Sequence, residues 1–476
     1  MGLISIIRSF LKLSPPQTRA FTVETLLDRS VKSFLYRLWY HGDGYELEQF
    51  YKQTENTACR FWGSVNTEGL ELRKCHTGLP QIIVDTLSSI VVRDLNEIKF
   101  TEAAAADKWD EIQKANSLIQ LCEAGIKDAL VVGDGAFKIS FDASIGALPI
   151  IEWYGGDRCI FKAIRGKVRS VVFITEIGDC TLYEDYGYGY VRYELYKTQD
   201  KEKKNKLPLS TLPETKDLYD VVFDDKIMLA VPLVVTASDR DAGRGKSIFE
   251  SKCDTFDALD EVWSQWLSAM RLSRAVRYIP ESLIPHDLKT GKPLKSNPFD
   301  CSFIKIGDDN HENGRNEITV SQPAFNSEQY TATYITALDM ALQGIISPST
   351  LGIDVKKLDN AEAQREKEKT TLYTRNRIIA ALEKCLKTLA ETAVRSYCIQ
   401  TGCSIDTPEC EVTFGEYANP SFEAVIETLS NPNTPMSVEA KVDELWGDTK
   451  TPEWKKAEVE RIRAQSGTAF MEGYYE

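Results

Sequence analysis

From residue 245 to Tyr397 the chain holds three long runs of apolar residues at helical spacing, and the order in which they are interrupted restricts the fold more than any other feature. The first run, 245–278, places Phe249, Cys253, Phe256, Leu259, Trp263, Trp266, Leu267 and Met270 on one broad stripe. The second, 326–347, carries Tyr334, Leu338, Leu342 and Ile345 and stops at Pro348, which has no amide hydrogen to extend a helix. The third runs from about Asn360 to Tyr397, with Asp359 or Asn360 as N-cap and Leu372, Ile379, Leu382, Leu386 and Leu389 near heptad spacing. At 1.5 Å per residue it would reach roughly 55 Å. Glu383 with Lys387 and Glu391 with Arg395 support that helix at i,i+4. This leaves two readings, an inter-subunit face or a long surface helix of a monomer.

Between the first two runs lies 279–325, rich in Pro, Gly and Asn, with short strands expected at 302–306 and 318–320: a small α/β subdomain on two helical legs. Between the second and third lies 348–359, where Pro348 and Gly352 deny helical continuation and Lys356 and Lys357 add positive charge. It reads as a connector or as a mobile finger. Upstream, residues 20–130 read as mainly helical. A β-meander is expected over 136–235, with a hairpin around Arg165-Gly166-Lys167, before a polar break at 237–247. A strand at Glu411–Phe414 is followed by short helices starting near Pro420, Ser437 and Thr451. The fold class is therefore α+β, mainly helical. The apolar stretch 3–13 reads as a docking helix. No run approaches eighteen uninterrupted apolar residues, so a soluble chain without membrane contact is expected.

Little conventional chemistry is offered. The eleven cysteines include no C-x-x-C pair, which reads as reduced thiols rather than disulfides or structural zinc. Cys75-His76 reads as a buried thiol beside a surface imidazole. Gly245-Lys246-Ser247 ends like a phosphate-binding loop, but Arg240 stands where its first glycine belongs. Gly133-Asp134-Gly135 reads as a turn between strands. Asp224-Asp225, Asp239 with Asp241, and Asp308-Asp309 are the carboxylate pairs that a metal-dependent nucleic-acid enzyme would use. Adjacent carboxylates in a turn are far more often simply solvated, so no catalytic residue, metal or cofactor is assigned. Fifty-seven Lys and Arg against seventy-one Asp and Glu give a formal charge of −14, which argues against a surface that clamps nucleic acid throughout.

The order of helix, small subdomain, helix, proline-broken loop and long helix resembles the portal proteins of tailed double-stranded-DNA bacteriophages. Gly243-Arg244-Gly245-Lys246-Ser247-Ile248-Phe249-Glu250 is similar to the stretch that opens the first stem helix in that family. Ile346–Gly352 followed by Asn360-Ala361-Glu362-Ala363 is similar to the tunnel loop and the start of the tunnel helix, and Thr451–Gly467 to a crown helix. The resemblance covers roughly residues 30–468; the loop 201–213 and the tail 470–476 have no counterpart in it. It implies a wing (1–240, with 360–420 adding the tunnel helix and a return strand), stem helices at 245–278 and 326–347, a clip at 279–325, a tunnel loop at 348–359, and a helical crown at 421–476.

It also implies a virion protein without enzymatic activity, a homo-oligomeric ring usually of twelve copies at one capsid vertex. Double-stranded DNA would pass through it without sequence readout during packaging and ejection. The implied partners are the terminase motor and head-completion protein at the clip, with major capsid protein and scaffold at the wing. Pro348, Ser349, Thr350, Gly352, Asp354, Lys356 and Lys357 become candidate tunnel-loop residues, the two lysines either a ring touching phosphates or simple solubilising charge. Phe256, Trp263, Trp266, Tyr334 and Leu338 become candidate subunit contacts. A cytosolic helical scaffold or adaptor is the competing non-enzymatic reading.

Overall fold

Asp43 starts the pattern of the N-terminal helices: its carboxylate accepts the amides of Tyr45 and Glu46, so α1 (Arg29–His41) ends and α2 (Gly44–Gln53) begins almost at once. The computed structural model describes residues 29–54, 60–66, 72–142, 144–200, 203, 205–294, 303–307, 317–322, 324–353, 361–403, 408–415, 437–446 and 452–465. The apolar stretch 3–13 and the helix expected near Pro420 lie outside them. They form two units, divided between Thr413 and Phe414.

Helix α3 (Leu79–Arg93), with Pro80 in its first turn, is followed by β1 (Leu95–Phe100), α4 (Ala103–Ala115) and α5 (Leu118–Val131). Strand β1 departs from the helical reading of 20–130. Its partner is β13 (Cys410–Phe414), some three hundred residues away, so pairing rather than local pattern makes Leu-Asn-Glu-Ile-Lys-Phe a strand.

The expected meander divides into two sheets. Strands β4 (Cys159–Ile164), β5 (Lys167–Ile177), β6 (Cys180–Gly187), β7 (Tyr190–Lys197) and β8 (Val221–Val222) form an antiparallel sheet in sequence order. Its first hairpin turns on Arg165 and Gly166, both at positive φ, as a two-residue turn requires. Strands β2 (Asp134–Ser140), β3 (Ile150–Gly155) and β9 (Ala230–Val234) form the second sheet, with β2 central and buried on both faces. Ala136, Phe161, Val171, Phe173, Tyr186 and Ala230 make the core that joins the two. Lys138 crosses it: burial depresses its ammonium, but Glu184 at 2.9 Å and Glu152 at 3.1 Å more than reverse that, so it is held charged.

The three long helical runs are all present, with shifted boundaries. Helix α6 is Cys253–Leu272, shorter at both ends than 245–278. Residues 276–280, Val-Arg-Tyr-Ile-Pro, form β10, the middle strand of a small sheet, parallel to β11 (Phe303–Ile306) and antiparallel to β12 (Thr319–Ser321). Their β-branched and aromatic residues take strand partners instead of a last helical turn. Helix α7 (Ser327–Leu342) is capped by Asn326, which accepts the Gln329 amide, and ends before Gly344 at φ 78°, short of the expected Ser347. Helix α8 (Ala361–Thr401) has 41 residues, about 60 Å at 1.5 Å each, and closes on Gly402 at φ 74°. Its buried stripe, Ile378, Leu382, Cys385, Leu386, Leu389, Ala393 and Val394, lies within the first unit's own core. In the second unit α9 (Val438–Trp446) packs on α10 (Pro452–Gln465).

Gly133-Asp134-Gly135 is not a turn between strands. It is the passage from α5 into β2, and Asp134 is fully buried there. Arg244 makes a two-pronged bond to it, Nη2 to Oδ1 at 2.8 Å and Nε to Oδ2 at 2.9 Å, while Arg29 Nη2 reaches Oδ2 at 2.9 Å. The Gly245 amide donates to the same Oδ2 at 2.6 Å. Gly133 and Gly245 touch backbone to backbone, and a Cβ on Gly133 would stand 2.7 Å from the Gly245 carbonyl oxygen. The break at 237–247 is thereby pinned to the start of β2. Asp134→Asn takes from Arg244 its counter-charge, leaves Arg29 only the exposed Asp241, and is expected to lower stability by about 3–5 kcal/mol. The check is the guanidinium midpoint followed by tryptophan fluorescence.

Candidate stem and loop site

Helix α6 presents two different faces. At i, i+3 and i+7, Asp257, Asp260 and Ser264 are buried and grip residues 61–62 and 75–77. Asp257 accepts the amides of Phe61 at 2.9 Å and Trp62 at 3.2 Å, and Ser264 Oγ accepts the Cys75 amide at 2.9 Å. Burial raises the Asp257 carboxyl above the usual carboxylate range, and those two amides offset only part of it. Asp260, with no exposed surface, accepts from Thr77 N and Oγ1 at 2.9 Å each, from Trp62 Nε1 at 3.1 Å, and meets His76 Nδ1 at 2.6 Å. His76 is therefore the buried member of the Cys75-His76 pair and Cys75 the more open one, the reverse of the sequence expectation. The imidazole packs between Trp39 and Trp62, and Gly42 makes room for it.

On the other face Trp263 and Trp266 stand edge to face, ring centroids 5.7 Å apart, and Tyr334 of α7 lies 5.7 and 5.9 Å from them. Lys252 Nζ donates to the Met340 carbonyl at the far end of α7, so α6 and α7 run antiparallel with the β10–β12 sheet inserted between them. These three aromatics are partly exposed. Phe256 is packed against Trp39 and Phe249, and Leu338 is buried too, which leaves neither with surface for a neighbour. The outer side of α7 exposes Gln329, Thr331, Ala332, Thr333, Thr336 and Met340. The three threonine hydroxyls each donate to the carbonyl four residues back, at 2.8–2.9 Å. From 316 to 355 the sequence has no lysine or arginine.

The candidate loop is not a free finger over its first half. Pro348–Leu351 form one 3-10 turn, ended by Gly352 at φ 70°. Thr371 of α8 holds it: its Oγ1 accepts the Ser347 amide at 2.9 Å and lies 3.0 Å from Thr350 Oγ1, while Ser347 and Ser349 hydroxyls are 2.7 Å apart. Pro348, Ser349, Thr350 and Gly352 are thus brought together on α8. Asp354, Lys356 and Lys357 lie outside the described residues. Of the carboxylate pairs, Asp224 accepts the Lys226 amide and Asp241 meets Arg29, and Asp308-Asp309 lie outside the described residues. Among the described residues no three metal-ligating side chains converge. No helix there is long and apolar enough to cross a membrane. Sequence reasoning missed Thr371, Asp257 and Asp260. The two aspartates carried a signal, since they share the buried side of α6 with Phe256 and Leu259.

No family model and no curated protein matches the sequence. Matching solved structures include a chain from the neck of a native gene transfer agent particle computed with C12 symmetry, 10% identical, with 77% of this chain and 90% of that chain covered and a TM-score of 0.39. Another is from the neck of an empty particle computed with C6 symmetry: 12% identity, 77% and 88% coverage, TM-score 0.37. A chain from the virion of the native particle covers 93% and 98% at 11% identity and TM-score 0.37.

Thr371→Val removes the acceptor of the Ser347 amide. The expected cost is about 1–3 kcal/mol locally, seen as amide exchange at 345–352 faster by roughly fivefold to a hundredfold. Unchanged exchange would mean that the turn is held by other contacts.

Proposed function

We propose that this chain is the subunit of a portal ring, through which double-stranded DNA enters and leaves a phage-type capsid. The reading rests on one observation: two antiparallel helices carry a three-stranded sheet at their far end, and the second of them has an outer surface with no cation along its length. DNA carries one charge per roughly 1.7 Å of axis, and a basic lining would hold it by releasing its counterions. A bore walled by threonine, alanine, glutamine and occasional carboxylates lets it slide. Formal charge of −14 on every copy adds a general repulsion.

In this reading α6 and α7 are the stem, β10–β12 the clip, Pro348–Gly352 the root of the tunnel loop, α8 the tunnel helix, and α9 with α10 the crown. The clip offers exposed Ile304, Ile318 and Val320 to the terminase motor and then to a head-completion protein. The body before residue 240 faces the major capsid protein and scaffold. Subunit contacts fall to the half-buried Trp263, Trp266 and Tyr334. Closing a ring needs two different complementary surfaces on each copy, and twelve copies is the number the reading favours. Lys356 and Lys357 supply a local basic ring, which touches phosphates without reading bases. The protein makes and breaks no bond, needs no cofactor, and resides in the virion.

Negative-stain images of purified protein are expected to show annuli with an axial hole, and compact monomers under every assembly condition would end the reading. Thr333→Lys with Thr336→Lys is expected to turn a ring that lets DNA slide into one that retains it. The logarithm of its affinity should fall with log salt by about 0.9 for each phosphate newly contacted.

A further inference from the structure

Helix α8 closes on a cap whose two paired positions are both cysteines. Gly402, at φ 74°, makes the left-handed turn, and its amide donates to the Cys398 carbonyl at 2.8 Å. The Cys403 amide donates to the same carbonyl at 3.1 Å, the bond of a Schellman cap, in which the side chains of these two positions frequently touch. At standard bond lengths that 3.1 Å bond leaves at most about 7 Å between the two Cα atoms, and a disulfide usually spans about 4.4–6.8 Å. Neither cysteine is in a disulfide, and the two differ in access: Cys398 is 4% exposed, whereas Cys403 lies open to solvent. Thr401 Oγ1 lies 2.8 Å from the Tyr397 carbonyl oxygen and 3.4 Å from Cys403 Sγ, so the open sulfur is folded back over the last turn. The next cysteine along is a poor competitor. Cys410 donates its thiol to the Lys387 carbonyl at 3.6 Å, and burial pushes that thiol up to about 12, which keeps it protonated at neutral pH.

We propose that Cys398 and Cys403 form a redox latch on α8, open as two thiols and closed as a disulfide that ties the last turn of the helix to the residue beyond Gly402. The oxidant is a low-molecular-weight disulfide such as oxidised glutathione. The Cys403 thiol, its proton lost to solvent, attacks one sulfur of that disulfide and releases the first small thiolate. The Cys398 thiol then gives its proton to solvent and attacks the Cys403 sulfur of the mixed disulfide, and the second small thiolate leaves. Each released thiolate takes up a proton. Two protein thiols are thereby oxidised to one disulfide while one small disulfide is reduced to two thiols. Closing so short a ring restricts the frayed and unfolded states, so the closed latch holds Gly402 in its turn. A reducing cytoplasm keeps the latch open, and an oxidising medium closes it. The pair is independent of the ring reading: monomers with a closing latch would remove the ring alone, and annuli with an inert pair would remove the latch alone.

The test uses the full-length chain, first reduced and then held folded in oxidised glutathione, with the remaining thiols alkylated before digestion by trypsin and an aspartate-directed protease. Cleavage after Arg395 and before Asp406 isolates 396–405, which carries Cys398 and Cys403 and leaves Cys410 on another fragment. The expected product is that peptide without alkylation, lighter by two hydrogen atoms than its reduced form. Cys398→Ser is expected to stop at the mixed disulfide, with one glutathione retained on Cys403. Cys403→Ser, a change at an open position, should yield neither product, and it carries the test should the buried Cys398→Ser variant fail to fold. Amide exchange at 402–403 is expected to slow by roughly tenfold on oxidation and to recover in dithiothreitol. Two alkylated thiols in 396–405 after oxidation, or a link between Cys403 and Cys410, overturns the proposal. So does unchanged or faster exchange in the bridged form, which would make the bond a strain on the cap instead of a latch.

Discussion

A carboxylate withdrawn from water must find its donors inside the protein, and two such groups fix how the helical legs leave the body. Asp134 gathers two guanidinium groups and one amide, and in doing so clamps the break at 237–247 to the first residue of β2. Asp260, one helix further on, gathers donors from Trp62, His76 and Thr77. Each lost donor weakens the compensation of a carboxylate held in a low-dielectric interior, so each cluster favours a single arrangement. Between them lies the start of α6, whose direction is thereby set from both sides.

With α6 fixed by its polar face, its aromatic face is left to hold α7, and the same helix performs both tasks because Asp257, Asp260 and Ser264 fall on a different side from Trp263 and Trp266. The consequence reaches the loop. Helix α7 ends at Leu342, the chain returns toward α8, and Thr371 receives it through one amide and one hydroxyl. The turn at 348–351 is therefore fastened to α8.

Helix α8 shows how one pattern serves either of two purposes. Heptad-like spacing is the signature of a seam between helices and equally of a helix laid over its own core. Here Leu382, Leu386, Leu389 and Val394 are consumed by the first unit's interior. Lys384 and Arg395 of the same helix line the groove it forms with β9.

The sequence by itself determined the mixed fold, the order of the three long helices, the hairpin at Arg165-Gly166 and the absence of cations along α7. These follow from local periodicity, turn chemistry and composition, all of which are properties of neighbouring residues. It did not determine β1, whose strand partner is β13, or the conversion of 276–280 from helix to strand, which the neighbours β11 and β12 impose. Nor did it show Asp134 as a buried hub, His76 as the inner member of its pair, or Thr371 as the anchor of the loop. Each of these depends on groups far apart in the chain that meet only when apolar surfaces close around them. A carboxylate's need for donors appears only once water has been removed.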